Sequence, residues 1–354
     1  MLFEKTAYDK MIYETQLKDF LPDKIFDFHT HVYRDQDKAP IITPASHKTV
    51  TWPSLVAKDN PIEDLIETYK IMFPDKEVKA LMFCGTQKDP VYQKKQNDYI
   101  SEMSKKYDFP ALYYSHPTET AEELEKAIRE GGFLGIKTYL NLADPSIPTS
   151  EIRIFDFFPH HQLETIDKMG GIVMCHIARD LRFRDPQNIA DLKEISKTYK
   201  NLKFIVAHIG RAYIPSDMGN ALEELAECDN LLYDFCANTS SENMEATLRS
   251  VGHKRMLFGS DMPVLRMRMR RIEDNGTYVN LVPPKIYGDI SNDPHMREVS
   301  SQEAEKLTYF MYEEILAMKK AIERIGLGKA EIEDLFYNNA VELINTARKN
   351  IYNK

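Results

Sequence analysis

The sequence predicts an α/β fold, a (β/α)8 TIM-type barrel, and two observations carry that prediction. Eight short apolar runs rich in Val, Ile, Phe and Tyr recur along the 354 residues, most of them separated by helical patterns. Most runs end at polar or Gly positions, as strands do where they leave a sheet. Strands that alternate with helices pair in parallel, and eight such units favour closure into a barrel over an open doubly wound sheet. No GxGxxG follows the first run, which weakens the dinucleotide-binding form of the open sheet.

In chain order, an N-terminal helix is expected over 7–20, ending near Pro22. The strand candidates are "KIFDFHTH" (24–31), "VKALMFCG" (78–85), "PALYYSH" (110–116) and "FLGIKTYL" (133–140). They continue with "GIVMCHIA" (171–178), "KFIVAHIG" (203–210), "LLYDFCAN" (231–238) and "RMLFGSD" (255–261). The clearest helix is "TETAEELEKAIREGG": Thr120 and Glu123 have capping-box spacing, Leu124, Ala127 and Ile128 share a face, and Gly131 ends it. Residues 185–201 and 242–254 also read as helices, and an extra C-terminal helix over 331–346 is expected to pack outside. Long loops are expected after the first strand (32–58) and the eighth (265–301), both leaving the face where barrels keep their sites. A single domain spanning 1–354, with its barrel core about 24–325, accounts for the whole chain.

Composition narrows the function. A net charge of −9 argues against non-specific nucleic-acid binding. No apolar run approaches the roughly 20 residues of a membrane span, and the first residues lack the apolar stretch of a signal peptide. Cys84, Cys175, Cys228 and Cys236 form no CxxC and read as reduced, buried thiols of a cytoplasmic protein.

Chemistry-bearing residues fall at the strand ends. In a strand, residues i and i+2 share a face, so His29 and His31 point the same way. The fifth run supplies His176, the sixth His208 and the eighth Asp261, and a parallel barrel brings all these ends to one face. A single histidine is more often a satisfied core or loop residue; the set at one rim argues against that reading. Three or four imidazoles with one carboxylate suit Zn²⁺, Mn²⁺ or Fe²⁺. Asp27 shares the parity of His29 one layer deeper, and reads either as an acceptor for an imidazole N–H or as an ordinary buried aspartate.

"DFHTH", "CHIAR", "AHIGR" and "GSDMP" resemble the amidohydrolase superfamily, in its amidohydrolase-related group of metal-dependent TIM-barrel hydrolases and decarboxylases. The resemblance runs from about residue 20 to the "NNAVELI" near the C-terminus. It implies that His29, His31, His176 and Asp261 bind one divalent metal, zinc foremost, with manganese and iron as alternatives. His208 would be the catalytic histidine or, as in some members, another ligand. The metal would activate a water, Asp261 would accept its proton and pass it to the leaving group, and His208 would orient the water or stabilise developing charge. Several superfamily members carry a carboxylated fourth-strand lysine bridging two metals, which points at Lys137. The group resembled here generally does without it, so substrate contact or an ion pair in the barrel is expected instead. TatD-type nucleases would show a glutamate on this strand, and "GIKTYL" has none.

Arginines gather beside these motifs. Arg34, Arg179 and Arg211 each follow a predicted site histidine by three residues, and "VLRMRMRR" places Arg266, Arg268, Arg270 and Arg271 beyond Asp261. Arginine suits bidentate recognition of carboxylate or phosphate, so an anionic small-molecule substrate is expected, with Arg179, Arg211 and Arg266 as candidate contacts. The competing reading pairs them with Asp180, Asp185 and Glu273. The "RMRMRR" alternation would suit an extended segment with one basic face. Tyr139, Trp52 and Met262 are candidate pocket liners, whereas His160 and His161 belong to a connecting helix. The leading expectation is a metal-dependent hydrolase of a small carboxylated lactone or amide. The alternative is non-oxidative decarboxylation of an unsaturated or aromatic acid, and a third reading is an inactive ligand-binding barrel. Barrels of this group often form dimers.

Overall fold

The computed structural model describes residues 3–39 and 53–353. Eight strands appear in the expected order: β1 (Lys24–His31), β2 (Glu77–Phe83), β3 (Tyr113–Tyr114), β4 (Gly135–Thr138), β5 (Ile172–Cys175), β6 (Lys203–Val206), β7 (Leu231–Asp234) and β8 (Met256–Leu257). All their pairings are parallel: β1 with β2, and β3 through β8 in a six-stranded sheet whose order follows the chain. Single parallel bridges, Thr30 to Met262 and Met82 to Ala111, join the two sheets at either end.

Strand parity separates two cores. Phe26, Phe28, Leu81, Phe83, Met174, Ile205, Leu232 and Leu257 form one cluster drawn from β1, β2 and β5 to β8. Their chain neighbours, such as Ile25, Met82, Val173 and Val206, pack instead into a larger cluster with the helices. The helix Asn339–Tyr352 gives Ala340, Leu343, Ile344 and Ala347 to the strand cluster. It therefore covers the strand cluster instead of only decorating the outside, a correction to its expected place. The Thr120 box forms as read: Thr120 accepts from the Glu123 N–H, Glu123 accepts from the Thr120 N–H, and the helix Ala121–Gly131 ends at left-handed Gly132.

Two further expectations change. Residues 265–301 are not a loop. Arg268–Asp274 (β9) and Thr277–Val282 (β10) form an antiparallel hairpin, and Met296–Glu298 (β11) and Thr308–Tyr309 (β12) complete a four-stranded sheet. Asn275 and Gly276, at φ 51° and 74°, make its turn. The fifth, sixth and eighth strands end sooner than their apolar runs, so His176, His208 and Asp261 stand just beyond them. Of the expected loop after β1, residues 40–52, Trp52 among them, lie outside the described residues. No described helix is long and apolar enough to cross a membrane.

Candidate metal centre

β1 does not run straight into its histidines. Its register against β2 shifts between Asp27 and Thr30, the mark of a bulge. Asp27 consequently faces the helix Ile62–Met72, accepting from the Tyr69 hydroxyl at 2.7 Å, while His29 and His31 pack against Phe83 with ring centroids 5.1 and 4.6 Å away. The shared parity read from sequence fails for this reason. Asp27 supports the centre through backbone instead, accepting from the His29 and Ser260 N–H groups at 3.2 and 2.9 Å. Burial, against those hydrogen bonds, pushes its carboxyl up to about 7.

The imidazole acceptor is Asp234, at the end of β7. His29 Nδ1 lies 2.9 Å from Asp234 Oδ2, and Asp234 Oδ1 accepts from the His208 N–H at 2.7 Å and the Cys236 thiol at 2.9 Å. Burial would raise the Asp234 carboxyl, but His29 and these donors bring it down to about 2. Burial in turn takes His29 down to about 4, so its ring is neutral at pH 7. Sequence reasoning missed Asp234 and Cys236, although "DFC" repeats the i, i+2 spacing of "HTH" at a strand end.

The two imidazoles present the same edge. His29 Nδ1 donates to a carboxylate, and His31 Nδ1 donates to the Cys84 carbonyl at 2.9 Å, which leaves both Nε2 atoms facing inward. Asp261 Oδ1 lies 3.5 Å from His29 Nε2 and 3.4 Å from His31 Nε2. Asp261 itself adopts φ 50°, and its N–H donates to the His29 carbonyl at 2.8 Å, which locks the two elements together. Gly259 makes this approach possible: a Cβ there would lie 2.7 Å from His29 Cβ.

Three acceptor atoms that converge without a donor repel one another unless a cation lies between them. Burial notwithstanding, the contacts with His31, His208 and His29 hold Asp261 well below the usual carboxylate range. A divalent metal would fit the gap between the three atoms. The N, N, O donor set is of the kind that binds zinc, manganese or iron.

The other predicted ligands sit beside this trio. His208 has its ring centroid 5.0 Å from His29, with Nδ1 3.1 Å from the Cys236 carbonyl and 3.0 Å from its sulfur. It opens the turn His208–Arg211, in which all four residues have φ between 49° and 61°. Consecutive left-handed L-residues cost about 1–2 kcal/mol each, a strain typical of functional sites. His176 lies 5.2 Å from the His208 ring and 4.8 Å from Tyr139, outside the tight trio, and its buried Nδ1 has no partner. The contacts of 2.9–3.3 Å around Cys236 Sγ are hydrogen-bond distances, and burial raises its thiol well above the usual range. That group is a hydrogen-bonded wall rather than a second ligand set.

Lys137 is 1% exposed, with Nζ 5.3 Å from the Phe83 ring centre. No carboxylate pairs with it among the described residues, so the expected barrel ion pair is absent; burial lowers its pKa. Arg211 donates to the Arg179 carbonyl at 3.0 Å, and its charge is felt at His176 and Tyr139. Arg179 pairs with Asp185 at 2.9 Å, the competing reading of that residue. Arg266 is held by Thr68, Asn60 and the Asp64 carbonyl, and lines a separate cleft of about 380 Å³ with Tyr287 and Tyr309 that includes none of the histidines.

The fold is shared with solved structures of known proteins. The chain resembles the 4-oxalomesaconate hydratase of Rhodopseudomonas palustris (TM-score 0.54, 15% identity, covering 91% of this chain and 96% of that one). It also resembles a 2,6-dihydroxybenzoate decarboxylase solved with 2,6-dihydroxybenzoate (TM-score 0.57, 11%, 92% and 100%). A third likeness is a dihydroxybenzoic acid decarboxylase from Polaromonas sp. JS666 with bound manganese and 2-nitroresorcinol (TM-score 0.53, 14%, 94% and 100%). At these identities the likeness establishes the fold. No protein with a curated description matches the chain. The family described as Amidohydrolase matches residues 97–345, which is most of the chain, and the protein therefore belongs to the amidohydrolase superfamily of metal-dependent enzymes.

Proposed function

We propose that the protein is a metal-dependent hydrolase of a small carboxylated substrate, of lactone or amide type, built on a single barrel closed through the Thr30–Met262 and Met82–Ala111 bridges. The observation that carries the reading is the convergence of His29 Nε2, His31 Nε2 and Asp261 Oδ1 with no donor among them. His176, with its unpartnered Nδ1, stands ready beside them as the further ligand. When bound, a divalent ion, zinc in this reading, supplies Lewis acidity at a substrate oxygen and acidifies water.

The remaining chemistry belongs to the chain. Asp261, ionised, accepts the proton of the attacking water and returns it to the leaving oxygen or nitrogen. His208 donates Nδ1–H toward the Cys236 carbonyl, so the lone pair is on Nε2 and the neutral ring orients water as an acceptor. Arg211, whose charge reaches His176 and Tyr139, offers that charge to the substrate carboxylate. Asp234 holds His29 and the His208 backbone in register.

Metal analysis and a substrate screen test the proposal together. Purified protein incubated with Zn²⁺ or Mn²⁺ should retain about one ion per chain, lost in Asp261→Asn and reduced in His176→Ala. Loaded enzyme should release acid from lactones or amides bearing a carboxylate. Release of CO₂ from aromatic or unsaturated acids without hydrolysis would establish decarboxylation in its place, and a folded protein that binds neither metal overturns both readings.

A further inference from the structure

The β9–β10 hairpin carries a cation to the edge of the site that no ion pair neutralises. Arg271 donates Nε to Asn280 Oδ1 at 2.9 Å and Nη1 to the Ala237 carbonyl at 2.7 Å, both neutral acceptors. Its guanidinium lies 4.7 Å from the Tyr213 ring centre and 4.6 Å from that of Tyr278. Neighbouring arginines differ: Arg182 pairs with Asp217 at 2.6 Å, and Arg268 with Asp9 at 2.6 Å. Glu314, whose charge would reach Arg271, is fully buried, and burial pushes its carboxyl up. Among the described residues, no carboxylate lies within ion-pair distance of Arg271, whose hydrogen-bond acceptors are both neutral.

A half-buried cation without a counter-ion is costly, and its contacts with the Tyr213, Tyr278 and Phe310 rings offset only part of that cost. Tyr213 connects it to the catalytic centre, since the same ring lies 6.5 Å from His208 and its hydroxyl feels both Arg211 and Arg271. Tyr278 meets Tyr213 edge-on at 5.0 Å and stacks flat on His295 at 4.1 Å, which fixes the wall between them. Among the described residues, two arginines without acid partners therefore act on one aromatic ring: Arg271 lies over it, and the charge of Arg211 reaches its hydroxyl.

We propose that Arg271 receives a second carboxylate of the substrate, at the end remote from the metal centre. The substrate class is then an elongated dicarboxylate, its middle lying along Tyr213 and its near end at His208 and Arg211. This rests on the hydrolase reading only for the near end; the far-end site is defined by Arg271, Tyr213 and Tyr278.

Calorimetric titration of the full-length, metal-loaded protein tests it. The probes are glutarate, adipate, suberate and isophthalate, each against its matching monocarboxylate. At least one dicarboxylate should bind about tenfold tighter than its partner, as a charge-assisted arginine contact provides. Arg271→Gln should bring that ratio close to one while monocarboxylate affinity and metal content persist. A purely structural arginine would instead lower the melting temperature and leave the ratio intact, which overturns the proposal, as does a wild-type protein with no preference. Should Arg271→Gln fail to fold, Asn280→Asp decides: it keeps the arginine, gives it an internal carboxylate and should abolish the preference. Protein that keeps the preference but never hydrolyses overturns only the hydrolase reading; protein that hydrolyses without the preference overturns only this one.

Discussion

Asp234 satisfies more donors than an amide could. Its two oxygens accept from His29 Nδ1, the His208 N–H and the Cys236 thiol, and all three donors are buried. Asn has one acceptor oxygen, so Asp234→Asn leaves either His29 or His208 facing an N–H of the same polarity. Partners of ligand imidazoles typically contribute about 10–100-fold to metal affinity. Asp234→Asn should therefore weaken metal binding by about that factor, read by competition with a chelator, with far-ultraviolet circular dichroism unchanged. Gly259→Ala acts on the same imidazole from the other side, because the added Cβ would meet His29 Cβ at 2.7 Å. If Asp234→Asn bound metal as tightly as the wild type, the Nδ1 contact would have no part in fixing the ring.

At the scale of elements, the hairpin is where sequence and structure part most. "DNG" between β9 and β10 is a strong short-range hairpin signal, with Asn275 and Gly276 both left-handed. The arginines around it obscure that signal: Arg271 directly after Arg270 breaks the polar and apolar alternation that Arg268 and Met269 begin. The alternation of "RMRMRR" as an extended segment was legible, its pairing was not. β1 shows the opposite limit, since periodicity places His29 and His31 together but cannot reveal a bulge that turns Asp27 away. The histidines themselves were legible because strand ends in a parallel sheet share a face whatever the loops do. Gly276→Val follows from the turn: φ 74° suits glycine and strains a β-branched residue, costing about 1–2 kcal/mol. The loss should appear in urea denaturation, and dicarboxylate binding should weaken because Arg271 and Tyr278 ride on the strands this turn joins, while metal content stays the same.

Across the whole molecule, the hairpin sheet is tied to the far end of the chain by one buried ion pair. Arg268 on β9 grips Asp9 with two nitrogens, at 2.8 and 2.6 Å, and Thr308 on β12 donates to the same carboxylate at 2.7 Å. Asp9 belongs to the helix Ala7–Ile12, where it also completes a capping box with Thr6. Residues hundreds of positions apart thus hold a first helix and a late sheet together, so the hairpin sheet inherits its placement from the first helix. Burial alone would raise the Asp9 carboxyl, but the hydrogen bonds from Arg268 and Thr308 and the charge of Arg268 bring it below its ordinary value. A carboxyl lowered on folding binds fewer protons in the native chain than in the unfolded one. Its stabilisation is therefore complete above the unfolded pKa, about 4, and disappears as pH falls through the native one. Asp9→Asn removes one partner and strands Arg268, whose side chain is only 16% exposed; breaking such a pair costs about 3–5 kcal/mol. Denaturation at neutral pH should show that gap between wild type and variant, and the gap should narrow steadily below about pH 4 as the wild-type carboxyl protonates. A difference that stayed constant into acid would mean that shape at residue 9, and not its charge, joins the helix to the sheet.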